Sequence, residues 1–163
     1  MIPTNRVQNK ESDRPYKIFL FGNGGVGKTT LVQRTLKKEF QRDTPITIGT
    51  NYYSKYFEIE GFTTLVHIWD FGGEDRFRHL LPSYAKDSDG GIFMYDITRR
   101  ASLFCTGEWL SIFEQSLNNG KKKIPILLVG GKSDLCNRRS VFEEDIIDIK
   151  ENYHFYSHFE CSV

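Results

Sequence analysis

The sequence has little that would commit it to an unusual environment. Among its 163 residues there are only three cysteines. Cys105, Cys136 and Cys161 stand far apart, with no Cys-x-x-Cys pair and no histidines at metal spacing. Neither a disulfide framework nor a zinc site is expected, and all three read as reduced thiols. His67, His79, His154 and His158 likewise lack metal spacing. No apolar run approaches the roughly 18 residues of a membrane span, and Met1 to Pro15 has no apolar centre of the secretory kind. Residue 2 is isoleucine, which excludes N-myristoylation, and Glu160-Cys161-Ser162-Val163 puts its cysteine third from the end rather than fourth. The chain as written is therefore expected to carry no lipid anchor and to be cytoplasmic. A marked surplus of charge of one sign is also missing. Lys plus Arg number 22 and Asp plus Glu 21, a net +1. Nothing draws the whole chain onto nucleic acid or an anionic membrane, so any polyanion must be held locally.

What is present is the composition of an ordinary globular protein, 26% charged and 39% hydrophobic, with length for about one domain. Residues 1–15 are polar and aperiodic and read as a flexible lead-in; the folded domain is expected over 16–163. Lys17 to Phe21 is a short apolar run of the kind buried on both faces in a parallel sheet, and Leu31, Val32, Leu36 and Phe40 follow at helical spacing. Tyr52–Ile59 and Thr63–Trp69 flank Glu60-Gly61 as an antiparallel hairpin. Phe77, Leu80, Leu81 and Tyr84 mark a short helix, and 91–95 a strand. Leu103, Leu110, Phe113 and Leu117 then mark a longer helix, 124–129 a strand, Phe142 to Tyr153 a helix and 158–160 a last strand. Such alternation predicts a doubly wound α/β domain with one antiparallel edge strand, its ligand beyond the carboxyl ends of the strands.

Gly22-Asn23-Gly24-Gly25-Val26-Gly27-Lys28-Thr29 satisfies GxxxxGK[ST], with Thr30 next, between a predicted strand and a predicted helix. Glycines let the backbone curl so that successive N–H groups point inward, and the helix N-terminus adds partial positive charge. Lys28 can reach β and γ phosphates, and the Thr29 hydroxyl can ligand Mg²⁺. A nucleoside triphosphate is the expected ligand. Asp70, at the end of a neighbouring strand, is a second candidate Mg²⁺ ligand, and the Gly73 N–H is placed to sense a γ phosphate.

With these motifs the chain resembles a Ras-superfamily small GTPase, nearest the Rab branch, from about Tyr16 to the last residue. The resemblance rests on GNGGVGKT, Thr47-Ile48-Gly49, WDFGGEDRF over 69–77, Tyr95-Asp96-Ile97-Thr98, Gly131-Lys132-Ser133-Asp134 and Glu160-Cys161-Ser162-Val163. It implies a P-loop NTPase G domain: six strands, mostly parallel with one antiparallel edge, helices on both faces, and the family's final helix absent from this chain. Thr47 would give its hydroxyl to Mg²⁺ and its N–H to the γ phosphate. Phe40 would stack edge-on against the base, or else cap the first helix. Lys132 would cover the base, Asp134 would accept hydrogen bonds from guanine, and Ser162 and Val163 would form the loop facing the guanine O6. GTP/GDP and Mg²⁺ are the implied ligands. Effector, exchange-factor and GTPase-activating proteins are the implied partners, with membrane attachment only through a tail not in this sequence.

Two positions depart from the family pattern. Gly131 replaces the asparagine of NKxD, implying about tenfold to hundredfold weaker nucleotide binding from one or two lost hydrogen bonds. Glu74 replaces the glutamine that orients the attacking water. A carboxylate about 5 Å from a γ phosphate costs roughly 3 kcal/mol per phosphate charge, so slow hydrolysis is expected. A protonated Glu74 could instead imitate the amide, or an ionised one act as base. Lys28, Thr47, Gly73 and Glu74 are thus the candidate catalytic set. No arginine is positioned by motif to neutralise the leaving phosphate from within the chain, and Arg99 and Arg100 read as loop caps. Three readings follow: a nucleotide switch, a scaffold that holds nucleotide and barely turns it over, and, least favoured, a phosphate-loop kinase.

Overall fold

A computed structural model describes residues 10–11, 14–37, 47–117, 120 and 122–162. The apolar run becomes strand β2 (Tyr16–Phe21), after a two-residue strand β1 (Lys10–Glu11), and the glycine cluster leads into helix α1 (Lys28–Lys37). The aromatic stretch forms the hairpin β3 (Thr50–Ile59) and β4 (Phe62–Phe71). Its two turn residues, Glu60 and Gly61, sit at φ 51° and 83°, the left-handed pair that a tight hairpin between right-twisted strands requires. A 3-10 turn (Asp75–Leu80) runs into helix α2 (Leu81–Ala85), then come β5 (Gly90–Asp96), α3 (Ala101–Phe104), α4 (Thr106–Ser116), β6 (Ile126–Gly131), a second 3-10 turn (Ser133–Arg138), α5 (Glu143–Tyr153) and β7 (Ser157–Cys161).

The six long strands lie in the order β3-β4-β2-β5-β6-β7, and only β3–β4 is antiparallel. From β2 the chain leaves toward β3 and β4, and from β4 it crosses back to β5 on the other side of β2. This is the switch point at which a doubly wound sheet opens a crevice at its carboxyl edge. Side chains alternate along β2. Phe19 and Phe21 join Phe71, Phe93, Trp109 and Phe113 under α2 to α5, while Leu20 joins Val32, Met94 and Val129 under α1. The first cluster is largely aromatic, with Phe21 stacked on Phe113 at 4.5 Å between centroids. The α1 face is thinner, and there Phe159, paired with Val129, is 56% exposed.

Two features differ from the sequence expectation. Part of the expected lead-in is tied to the sheet: β1 pairs with Phe62 and Thr63 of β4, on the edge that β2 occupies further along, since β3 fills the other edge. Arg14 then grips Asp89 through two hydrogen bonds of 3.0 and 2.9 Å, so the segment is anchored at both ends of this stretch. The helix expected around Phe77 to Tyr84 is split, because Pro82 in the first turn of α2 starts a new helix after the 3-10 turn.

Candidate functional site

The crevice is built from the loop after β2. Gly22 stands at φ 130°, and a Cβ there would fall 2.2 Å from the Met94 carbonyl oxygen, so only glycine can turn out of the sheet this close to β5. Gly25 and Gly27 also take positive φ, and the curl closes into α1 with the Leu31 N–H donating to Gly27 O at 2.9 Å. Lys28, Thr29 and Thr30 form the first turn of that helix. The Lys28 side chain folds back over the loop and its Nζ donates to the carbonyls of Gly22 and Asn23, both at 2.8 Å. It is only 6% exposed. Burial lowers its amine to about 8, with Asp70 opposing the shift and Arg99 adding to it. A cation desolvated to this degree favours an arriving anion.

Beside it, Thr29 Oγ1 donates to Asp70 Oδ2 at 2.6 Å and lies 2.9 Å from Thr47 Oγ1. A hydroxyl has one proton to give, so Thr47 is the donor of that second bond. Asp70 is wholly buried, and its Oδ1 finds no hydrogen-bond partner among the described residues. Burial raises its carboxyl pKa, against the Thr29 hydrogen bond and the Lys28 charge. Two hydroxyls and a half-satisfied buried carboxylate are hard oxygen donors, the set that suits Mg²⁺.

Three backbone segments meet at this point. The Gly72 N–H donates to Gly49 O at 2.7 Å. A Cβ on Gly72 would lie 2.4 Å from Thr47 O, and one on Gly73 would lie 2.3 Å from Asn23 C and 2.4 Å from Gly24 N. The residues around Thr47, the end of β4 and the phosphate loop therefore touch main chain to main chain. Glu74 is held differently: its carboxylate lies 2.5 Å from Arg76 Nε rather than on the phosphate loop.

Just beyond β6, Lys132 stands at φ 66° and its Nζ lies 2.7 Å from Asp96 Oδ2. Burial alone would raise the Asp96 carboxyl, and bonds from Lys132 and from the hydroxyl and N–H of Thr98 outweigh it, leaving the pKa lowered. Ser162 Oγ donates to Asp134 Oδ1 at 2.7 Å, so Lys132, Asp134 and Ser162 are gathered beyond β6 and β7. Phe40 and Val163 lie outside the described residues.

Gly131 has a role that the spacing does not reveal. A Cβ there would lie 2.5 Å from Val26 O and 2.7 Å from Met94 Cε. The strand end thus abuts the phosphate loop directly, where a longer side chain would otherwise brace it. Restoring the family residue, Gly131→Asn, is therefore expected to push Val26 outward and weaken GDP binding about fivefold or more, by the usual cost of overpacking. Fluorescence titration reads this, and tighter binding by the variant would show that the loop yields.

Other contacts were not legible in the sequence. Trp109 is fully buried, and its Nε1 donates to Asn23 Oδ1 at 2.7 Å. Arg78 lies over the Trp109 ring at 4.6 Å and bonds Asp75 and Glu108, both at 2.6 Å. Arg99, read as a loop cap, reaches the phosphate loop: its Nη2 donates to Gly24 O at 2.6 Å. The one sequence signal was a polar Asn23 inside a glycine loop.

Comparison with known proteins gives the family. The Ras family profile matches residues 17–163, nearly the whole folded domain. The chain belongs to the Ras family. It is 38% identical to the Ras-related protein Rab-30 of Homo sapiens over 147 residues, 90% of this chain and 71% of that protein. It is 32% identical to the Ras-related protein Rab-11A of Dictyostelium discoideum over 92% of this chain and 69% of that protein. A Xenopus tropicalis Ras and EF-hand domain-containing protein is 34% identical over 87% of this chain, which spans only 19% of that relative. This Ras-family domain is thus a small GTPase of the Rab-like kind in sequence and fold. Among its described residues no helix is long and apolar enough to cross a membrane.

Proposed function

We propose that this domain is a guanine-nucleotide switch that binds GTP and GDP with Mg²⁺, hydrolyses GTP slowly and is read by a partner in its GTP-bound form. The observation that carries the reading is the buried Lys28 amine beside the Thr29–Thr47–Asp70 cluster, a cation and a set of hard oxygens converging on one glycine loop. In this reading the N–H groups of Gly24 to Thr30 cradle the phosphates and Lys28 spans the β and γ groups. Thr29, Thr47 and Asp70 would hold Mg²⁺, which when bound would supply positive charge against the phosphates. Asp134 accepts from guanine N1 and N2, a donor pair adenine lacks, while the Lys132 stem covers the ring. Ser162, already bonded to Asp134, fixes that carboxylate; Phe40 and Val163 complete the base site in the proposal.

Thr47 and Gly73 are proposed to sense the γ phosphate through their N–H groups. Their segments touch each other and the phosphate loop, so a ligand there biases both together, an order-disorder switch of the kind that exposes or withdraws a surface. Effector, exchange and activating proteins are the proposed partners, in the cytoplasm or on a membrane surface. The test is hydrogen exchange over residues 47–51 and 71–85 with GDP and with a non-hydrolysable GTP analogue. Clear extra protection in the triphosphate state is expected, and identical exchange in both states would contradict a switch.

A second reading, a scaffold that holds nucleotide without turning it over, is favoured by the Glu74–Arg76 ion pair. It occupies the carboxylate in place of an amide that would orient water. Glu74→Gln is accordingly expected to raise single-turnover GTP hydrolysis about tenfold or more, by restoring a donor to the developing charge. A slower variant in a quench-flow assay would make Glu74 a working acid or base.

A further inference from the structure

Arg99 has no assigned role in this reading, and its setting is unusual. Its backbone is pinned in the turn after β5: Arg99 N–H donates to Asp96 O at 3.0 Å, and its carbonyl accepts from Ser102 N–H at 2.9 Å and Ser102 Oγ at 2.6 Å. Ser102 is itself fully buried and also bonds the Asp96 N–H at 2.9 Å. The base of the side chain is therefore fixed, while its tip is exposed. Among the described residues no carboxylate pairs with the guanidinium; its hydrogen bond there is to Gly24 O. The guanidinium of Arg100, its neighbour, is paired with Asp145, while the Arg100 N–H donates to the Ser140 hydroxyl.

The place Arg99 reaches is the end of the loop where the terminal phosphate is expected. Gly24 meets Gly73, whose main chain lies within contact distance of the Asn23–Gly24 peptide, whereas the base end is marked by Val26 against Gly131. The charge of Arg99 is also felt by the Lys28 amine. Two cations thus bond carbonyls of one loop, Lys28 those of Gly22 and Asn23 and Arg99 that of Gly24, and the exposed one has donors to spare.

We infer that Arg99 is an arginine finger supplied in cis: it leaves the Gly24 carbonyl and neutralises charge on the transferring γ-phosphoryl group of GTP. The inference rests on the guanine-nucleotide reading above. In the step concerned, the oxygen of a water molecule bonds to the γ phosphorus as the bond to the β–γ bridging oxygen breaks. The electron pair goes to that oxygen on GDP, and the water proton passes to the departing phosphate. Charge builds on the bridging and γ oxygens, where a guanidinium accelerates the step by a factor of about 10³ or more. A weak or missing water-orienting group at Glu74 leaves this cation as the main contributor from within the chain.

The test is formation of a transition-state mimic without any partner protein. The GDP-bound domain with Mg²⁺ is titrated with aluminium fluoride, followed by Trp109 fluorescence, since that indole is bonded to Asn23 of the same loop. The unmodified chain is expected to take up the fluoride complex. Arg99→Ala is expected to lose it by at least about tenfold, with its GDP affinity within about twofold of the parent and single-turnover hydrolysis slowed about a hundredfold or more. Arg99→Lys should recover part of both. Three results would overturn the inference: no fluoride uptake by the unmodified GDP complex, undiminished uptake by Arg99→Ala, or equal losses of GDP and fluoride binding, which would make Arg99 a brace for Gly24. Failure of the unmodified chain to bind GDP at all would overturn the nucleotide reading, and this inference with it.

Discussion

Replacing Lys28 by methionine is expected to lower affinity for GDP and GTP about a thousandfold while leaving the nucleotide-free fold at least as stable. Hydrogen bonds to charged groups contribute about 1.5–3 kcal/mol each, and an ammonium spanning two phosphates makes two or more. In the absence of ligand the same amine is bonded only to the carbonyls of Gly22 and Asn23 and is almost wholly buried, so removing its charge relieves desolvation. Isothermal titration and a thermal melt read the two effects. A large fall in melting temperature would show instead that Lys28 holds the loop together.

The pH dependence of binding follows from the same group. Its amine titrates near 8 in the free protein, against 10.5 unperturbed. Phosphates bind the ammonium form and keep it protonated, so above pH 8 binding must also take up a proton. Affinity of the unmodified chain should then fall about tenfold from pH 7 to pH 9, and this Lys28-linked fall should vanish in the methionine variant. The nucleotide-free fold behaves oppositely. Between pH 8 and 10.5 the unfolded chain holds the extra proton, so Lys28 makes the free fold more stable as pH rises.

The second large effect is expected at Gly73. A methyl group there would sit 2.3–2.5 Å from the Asn23 and Gly24 backbone, and main chain cannot give way as a flexible side chain can. Gly73→Ala must therefore pry the end of β4 from the phosphate loop. Overpacking of this kind costs about 1–3 kcal/mol, and if Gly73 contacts the γ phosphate the cost falls mainly on the triphosphate state. Affinity for a GTP analogue is expected to drop about thirtyfold, with GDP changed about threefold or less. Equal losses for the two nucleotides would remove Gly73 from any sensing role.

Much of this architecture is legible in the sequence because it is written in short-range patterns. Alternating apolar runs marked the strands, Glu60-Gly61 marked the hairpin, and the glycine loop between a strand and a helix marked the crevice. What was not legible depends on contacts between distant segments. Arg14 on Asp89, Trp109 on Asn23 and Arg99 on Gly24 join residues 75 or 86 positions apart, and nothing in local spacing announces them. Gly131 shows the same limit from another side. Read as a missing side chain, it implies only a lost hydrogen bond, whereas in the folded domain it is the residue that admits the Val26 carbonyl. Glu74, read as facing a phosphate, pairs with Arg76 two residues on.

The most direct measurement is a calorimetric titration of the nucleotide-free domain with GDP, GTP and ADP in the presence of Mg²⁺. The account predicts binding of both guanine nucleotides, strongly reduced on omission of Mg²⁺ or in Lys28→Met, and ADP weaker by about a hundredfold for want of the donor pair that Asp134 would accept. No heat with any of the three at millimolar concentration, or ADP binding as tightly as GDP, would contradict it.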